Sequence, residues 1–259
     1  MGLRALLNCG GAYPGWADEL VTPNLMGFRG AQYTGTEILS YLRALEAVRA
    51  DPGVWAFEVD PELNRIWIGL RNESELVRIQ QMITDRAVPL AAIVLEPPPP
   101  ATGTEPFGVL EAAPILTVAG PALGVFGLVF HVRYTNPFPE RRFLARCPEV
   151  FSPHTTVRYF LEKWDGARWQ LAFAPFCELT AVRPTVVDPG QAHTDSADAV
   201  GVRRLKASPI WRTARITGTY RLVGAVYLSE TATPPYTADP APEAERRSAP
   251  FRILHTAPF

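Results

Sequence analysis

The chain has 259 residues, 47% hydrophobic and 20% charged, which excludes wholesale disorder and leaves room for one large or two ordinary cored domains. Its net charge of −1 provides no field to steer nucleic acid or an anionic membrane. Its 26 prolines, about twice the usual share, weigh against a mainly helical chain and favour short strands and stiff loops.

Residues 1–33 are punctuated by Gly and Pro and carry no sustained period, so they are expected to form an irregular arm. Residues 3–7 are too short an apolar run for a signal-peptide core, and no stretch reaches the roughly 18 apolar residues of a membrane span. Two locations stay open: extracytoplasmic, if a signal lies upstream of Met1, or otherwise cytoplasmic.

At Thr34-Gly-Thr-Glu37 a capping-box pattern predicts a helix start, since Thr34 can accept an orphan N–H and Glu37 can reach back. Ile38, Tyr41, Leu42, Leu45 and Val48 then share a face, and Asp51-Pro-Gly53 stops the helix. Trp55, Phe57 and Val59 alternate with more polar neighbours, as do Ile66, Ile68 and Leu70, which predicts a hairpin with one buried face. Asn72-Glu-Ser-Glu75 repeats the capping logic ahead of Leu76, Ile79, Gln80 and Ile83, and residues 90–95 read as a strand. The expectation for 34–96 is a small α-β-β-α-β layer.

Pro97-Pro-Pro-Pro100 reads as a semi-rigid spacer, and 97–124 as a Pro-rich linker between domains. Beyond it, Phe126, Leu128, Phe130, Val132 and Tyr134 hold a period of two. Val157, Tyr159 and Leu161 face one way, Asp165-Gly166 supplies a turn, and Trp169, Leu171 and Phe173 line the return strand. Tyr220, Leu222 and Val226 repeat the pattern, and Phe251 and Ile253 suit a last strand. These short antiparallel strands predict an all-β sandwich over 125–259. The Pro- and Ala-rich stretch 232–249 is expected to protrude.

Two resemblances follow from particular phrases. The hairpin Tyr159-Phe-Leu-Glu-Lys-Trp-Asp-Gly-Ala-Arg-Trp169, the turn Asp188-Pro-Gly190 and the strand Gly218-Thr-Tyr-Arg-Leu-Val223 resemble the bacterial immunoglobulin-like domain family over about 122–256. That resemblance implies an extracytoplasmic module, usually one without known catalysis, and transfers no binding residues. Pro52-Gly-Val54, Asp60-Pro-Glu-Leu-Asn-Arg-Ile66 and Ala87-Val-Pro-Leu-Ala-Ala-Ile-Val-Leu-Glu96 resemble the prosegment-type domain of bacterial trypsin-like serine proteases over about 34–96. It implies a folding helper or protease inhibitor. No Gly-Asp-Ser-Gly-Gly motif follows, so the protease itself is not expected here.

The chemistry-bearing residues are scattered. Cys9, Cys147 and Cys177 form no metal spacing. Cys147 and Cys177 bracket the main hairpin, and either a disulfide between them or two buried thiols fits the letters. His131 falls on the face opposite the aromatic row, and His154 lies near Cys147 in a Ser-Pro-His loop without an orienting group. His193-Thr-Asp-Ser-Ala-Asp198 carries the letters of a triad, and Asp188, Asp195 and Asp198 could offer oxygens to Ca²⁺. The bland alternative, a solvated loop, is the expectation. Trp169 is expected in the core by parity, while Trp164 fits core or rim equally. No catalytic residue, metal site or cofactor is therefore expected, and the expected partner is another protein rather than nucleic acid.

Overall fold

The computed structural model describes residues 32–60, 63–100, 106–115, 125–148, 155–174, 183–203, 210–211, 217–230 and 239–254. The fold is β-rich, with few helices and several largely antiparallel sheets.

The capping box at Thr34 is formed. Glu37 N donates to Thr34 Oγ1 at 3.2 Å, and Thr34 N donates to the Glu37 carboxylate at 2.7 Å. It opens α1 (Gly35–Ala44), which Leu45 separates from the short α2 (Glu46–Arg49). β1 (Val54–Asp60) and β2 (Arg65–Leu70) follow, then α3 (Leu76–Thr84) and β3 (Ile93–Glu96). Asn72 makes no side-chain cap; a 3₁₀ turn at Glu73–Glu75 leads into α3 instead. β2 lies between antiparallel β1 and parallel β3. Ile38, Leu45, Val48, Ile66, Ile68, Leu70, Ile79 and Ile83 form one buried cluster between the helices and a single sheet face.

The opposite face of this sheet has a different character. β1 carries a bulge between Val54 and Ala56, so Trp55 leaves the parity of Phe57 and Val59. Its ring meets Trp67 edge-on, with centroids 5.6 Å apart. Both indoles press on Gly69, where an added Cβ would lie 2.5 Å from Trp55 Nε1.

The stretch expected to be a linker, 97–124, contains a strand. β4 (Phe107–Ile115) pairs with β5 (Val125–Thr135), and Phe107 is already buried in the second core. Next come β6 (Arg142–Leu144), β7 (Arg146–Pro148), β8 (Thr155–Val157), β9 (Tyr159–Trp164), β10 (Trp169–Ala174), β11 (Thr185–Val187) and β12 (Ala192–Arg203). β13 (Ile210–Trp211), β14 (Gly218–Gly224), β15 (Val226–Tyr227) and β16 (Phe251–Ile253) complete the set. An eight-stranded sheet runs β16-β14-β9-β10-β13-β12-β5-β4, a three-stranded sheet runs β11-β6-β15, and β7 pairs with β8. Phe107 bridges Ser248, whose N–H donates to Leu222 O at 2.8 Å. The ends of the long sheet therefore approach one another, and it curls round Phe130, Tyr134, Leu161, Phe173, Tyr220 and Leu222.

Two further expectations are corrected here. A bulge between Leu171 and Phe173 puts Phe173 in the core but leaves Trp169 on the outer face. There Trp169 sits 5.4 Å from the Trp164 ring and under the Arg221 guanidinium. The described part of the 232–249 stretch does not protrude as a whole. Ala241 and Ser248 are buried, and Glu245 pairs with the buried Arg142 at 2.8 Å.

Candidate functional site

The cluster expected in a loop lies on a strand. Residues 193–198 belong to β12, whose ladder with β5 sets His193 opposite Tyr134, Asp195 opposite Val132 and Ser196 opposite His131. Strand alternation then sorts the side chains. His193 and Asp195 turn inward, to a cleft also lined by Phe107, Val132, Tyr134 and Tyr159. Ser196 turns outward, and its Oγ lies 3.0 Å from His131 Nδ1 on the exposed face. The three letters of a triad are thus divided between two faces.

The polar end of the cleft is closely committed. Asp195 Oδ2 accepts from the Val157 N–H at 3.0 Å, and Oδ1 accepts from the Ser196 N–H at 2.9 Å. The carboxylate so joins β12 to β8, where no ladder pairs the two strands. His193 Nε2 lies 3.6 Å from Asp195 Oδ2, too long for a hydrogen bond. The Tyr134 hydroxyl is buried without a hydrogen-bond partner among the described residues. Burial raises its pKa to about 12; the Arg142 charge opposes this and the Glu245 charge adds to it.

The free space is about 10 Å³, the room of a single water. No Ser, Thr, Cys or Lys lines it. The arrangement can hold strands together and accommodate one water, and the polar side chains that line it are His193, Asp195, Tyr134 and Tyr159. Among the described residues no three His, Cys, Asp or Glu side chains gather as metal ligands would. Asp188, one of the three acids that could have offered oxygens to Ca²⁺, pairs with Arg141 at 2.6 Å on the surface. Asp198 lies on β12. His154, His255 and Cys177 fall outside the described residues, as does the side chain of Cys147 on β7, so the expected bridge does too.

The tyrosines of the cleft read in sequence only as core aromatics. A usable signal was present: His193 and Asp195 are two apart, the spacing that sends both to one side of a strand. Polar neighbours masked it.

The cleft lies inside the second core, not at the junction between the two cores. The junction is instead filled. Trp164 Nε1 donates to Pro97 O at 3.0 Å, and Arg252 stands over the Trp55 ring, 5.0 Å from its centroid.

No family model matches this chain, and the search of curated proteins finds no match. Among solved structures, an X-ray structure of a Northeast Structural Genomics Consortium target aligns with TM-score 0.29 and 9% identity, covering 58% of this chain and 88% of that one. The crystal structure of a Bordetella pertussis protein described as ApaA aligns with TM-score 0.26 and 11% identity, covering 58% of this chain and 94% of that one. Neither likeness carries a functional reading.

Proposed function

We propose that the protein is a non-enzymatic interaction module built on an immunoglobulin-like β-sandwich, acting outside the cytoplasm and contacting another protein. One observation carries the proposal. The cleft where His193 and Asp195 converge holds room for about one water, and both Asp195 oxygens accept backbone N–H groups. Catalytic pairs need a reacting atom within reach and space for the substrate that bears it. A contact surface is available in β11, at the edge of its sheet, where Val186 is 46% exposed. An edge strand offers backbone groups to a partner strand. The reading is tested by incubating the protein with chromogenic peptide, ester, phosphoester and glycoside substrates. No turnover is expected, and turnover abolished by His193→Ala would overturn it.

A second reading is a protease-associated regulator acting through residues 34–96. It is favoured by the order of helices and strands there and by a buried cluster separate from the second core. Titration against trypsin-like serine proteases tests it: stoichiometric inhibition supports the regulator, and unchanged proteolysis discards it.

A further inference from the structure

Four consecutive prolines between two cores suggest a spacer that holds them apart. The contacts across the junction point the other way. Trp67 is fully buried, yet it belongs to neither hydrophobic core. Its Nε1 donates to Glu96 Oε2 at 2.9 Å, and Glu96 is itself 2% exposed. Both lie on the face of the β1–β3 sheet opposite the helices, the side on which Thr217 and Arg252 of the second unit make contact with Glu58 and Trp55.

We infer that the two units are docked in cis as one body, the helix-free face of β1–β3 being the partner of the outer face of β9, β14 and β16. Three points hold it. At the end of β9, Trp164 donates to the carbonyl of Pro97, the first proline of the run. Ahead of β14, Thr217 donates to Glu58 of β1. On β16, Arg252 covers Trp55 and reaches the Arg71 carbonyl at 3.4 Å. Registers agree with this grouping, because Arg252 pairs with Thr219 and Arg221 pairs with Glu162, which puts these side chains with Trp164 on one outer face. Three points that are not collinear fix rotation as well as separation. The proline run is then a strap anchored at Pro97, and the sheet face of the first unit is not open to an outside partner.

The test introduces a specific protease site at 101–105 of the full chain. After cleavage, the pieces are expected to co-elute in gel filtration at micromolar concentration, and the uncut chain to melt in one transition. Arg252→Ala and Trp164→Phe, which spare both cores, are each expected to raise the dissociation constant of the cut pieces roughly 5- to 30-fold. Immediate separation of the native pieces, two independent melts, or variants with an unchanged constant would overturn the inference. Where cutting unfolds a piece, the uncut chain decides. The indole N–H groups of Trp67 and Trp164 should exchange slowly and be accelerated together by Arg252→Ala. Fast exchange of either in the native chain, or no response to the substitution, would overturn the inference.

Discussion

Arg78 holds Asp51 with both terminal nitrogens, at 2.6 and 2.7 Å, and so ties α3 to the turn that follows α2. Asp51 also accepts from the Gly53 N–H at 2.8 Å, shaping the Pro52-Gly53 turn into β1. The hydrogen bonds from Arg78 lower the Asp51 pKa; burial opposes them, and the Gly53 N–H and the Arg78 charge add to the lowering.

That direction sets a pH dependence. A carboxyl whose folded pKa is depressed stabilises the fold above its unfolded value, here near 3.8, and the contribution is lost as pH falls through the lower folded value. Asp51→Asn is expected to lower the urea midpoint at pH 7 and to flatten its decline between about pH 5 and pH 2. Urea melts of both proteins across that range check this. Parallel declines would show that Asp51 titrates alike in both states.

The aromatic centre of the second core is the next test. Phe130 is fully buried and packs edge-on against Tyr159 and Phe251, at centroid distances of 6.5 and 5.7 Å. Phe130→Ala is expected to cost about 3 to 5 kcal/mol, the transfer loss plus the cavity left behind. Denaturant unfolding measures it. A cost below about 1 kcal/mol would mean the site collapses freely or is not packed as described.

Much of the fold was legible because burial imposes a period. Phe130, Val132 and Tyr134, like Val157, Tyr159 and Leu161, sit in the core as alternation requires. The errors have local causes. One extra residue at Trp55 and another beside Ala172 shift parity within β1 and β10, and a bulge leaves no mark in a hydrophobic pattern. β12 carries no alternating signal because His193, Thr194, Asp195 and Ser196 are all polar: Thr194 and Ser196 face outward, and His193 and Asp195 line an internal cleft. β4 was hidden in a segment rich in Pro, Gly and Ala, where composition suggested a linker. Its place is set by pairing with β5, a tertiary fact.

Asp195 gives a prediction about structure rather than catalysis. Its carboxylate stands in for a missing strand pairing between β8 and β12, and the Val157 side chain beneath is buried. Asp195→Ala strips the Val157 N–H of its acceptor, so a loss of about 1 to 3 kcal/mol is expected. Asp195→Asn keeps an amide oxygen and should cost less. Amide exchange at Val157 is the direct readout, speeding up in the Ala variant. An unchanged rate would show that another group serves this N–H.

Gly224 tests how the long sheet closes. An added Cβ there would lie 2.6 Å from Phe107 Cε2 and closer still to Cζ, a contact that must force the ring aside. Phe107 has little freedom to yield. It is 4% exposed, its ring packs on Tyr134 with centroids 4.7 Å apart, and its backbone bridges Ser248. Gly224→Ala is therefore expected to destabilise by about 1 to 3 kcal/mol through overpacking. Gly35→Ala, where nothing lies within 4 Å and the residue is helical, should instead stabilise by up to about 1 kcal/mol. Phe107→Leu supplies the decisive comparison, because a smaller side chain relieves the clash. In the double-mutant cycle, Gly224→Ala should cost less in the Phe107→Leu background than in the native one. Additive effects would show that Phe107 does not lie against β14 and that the ends of the sheet meet some other way.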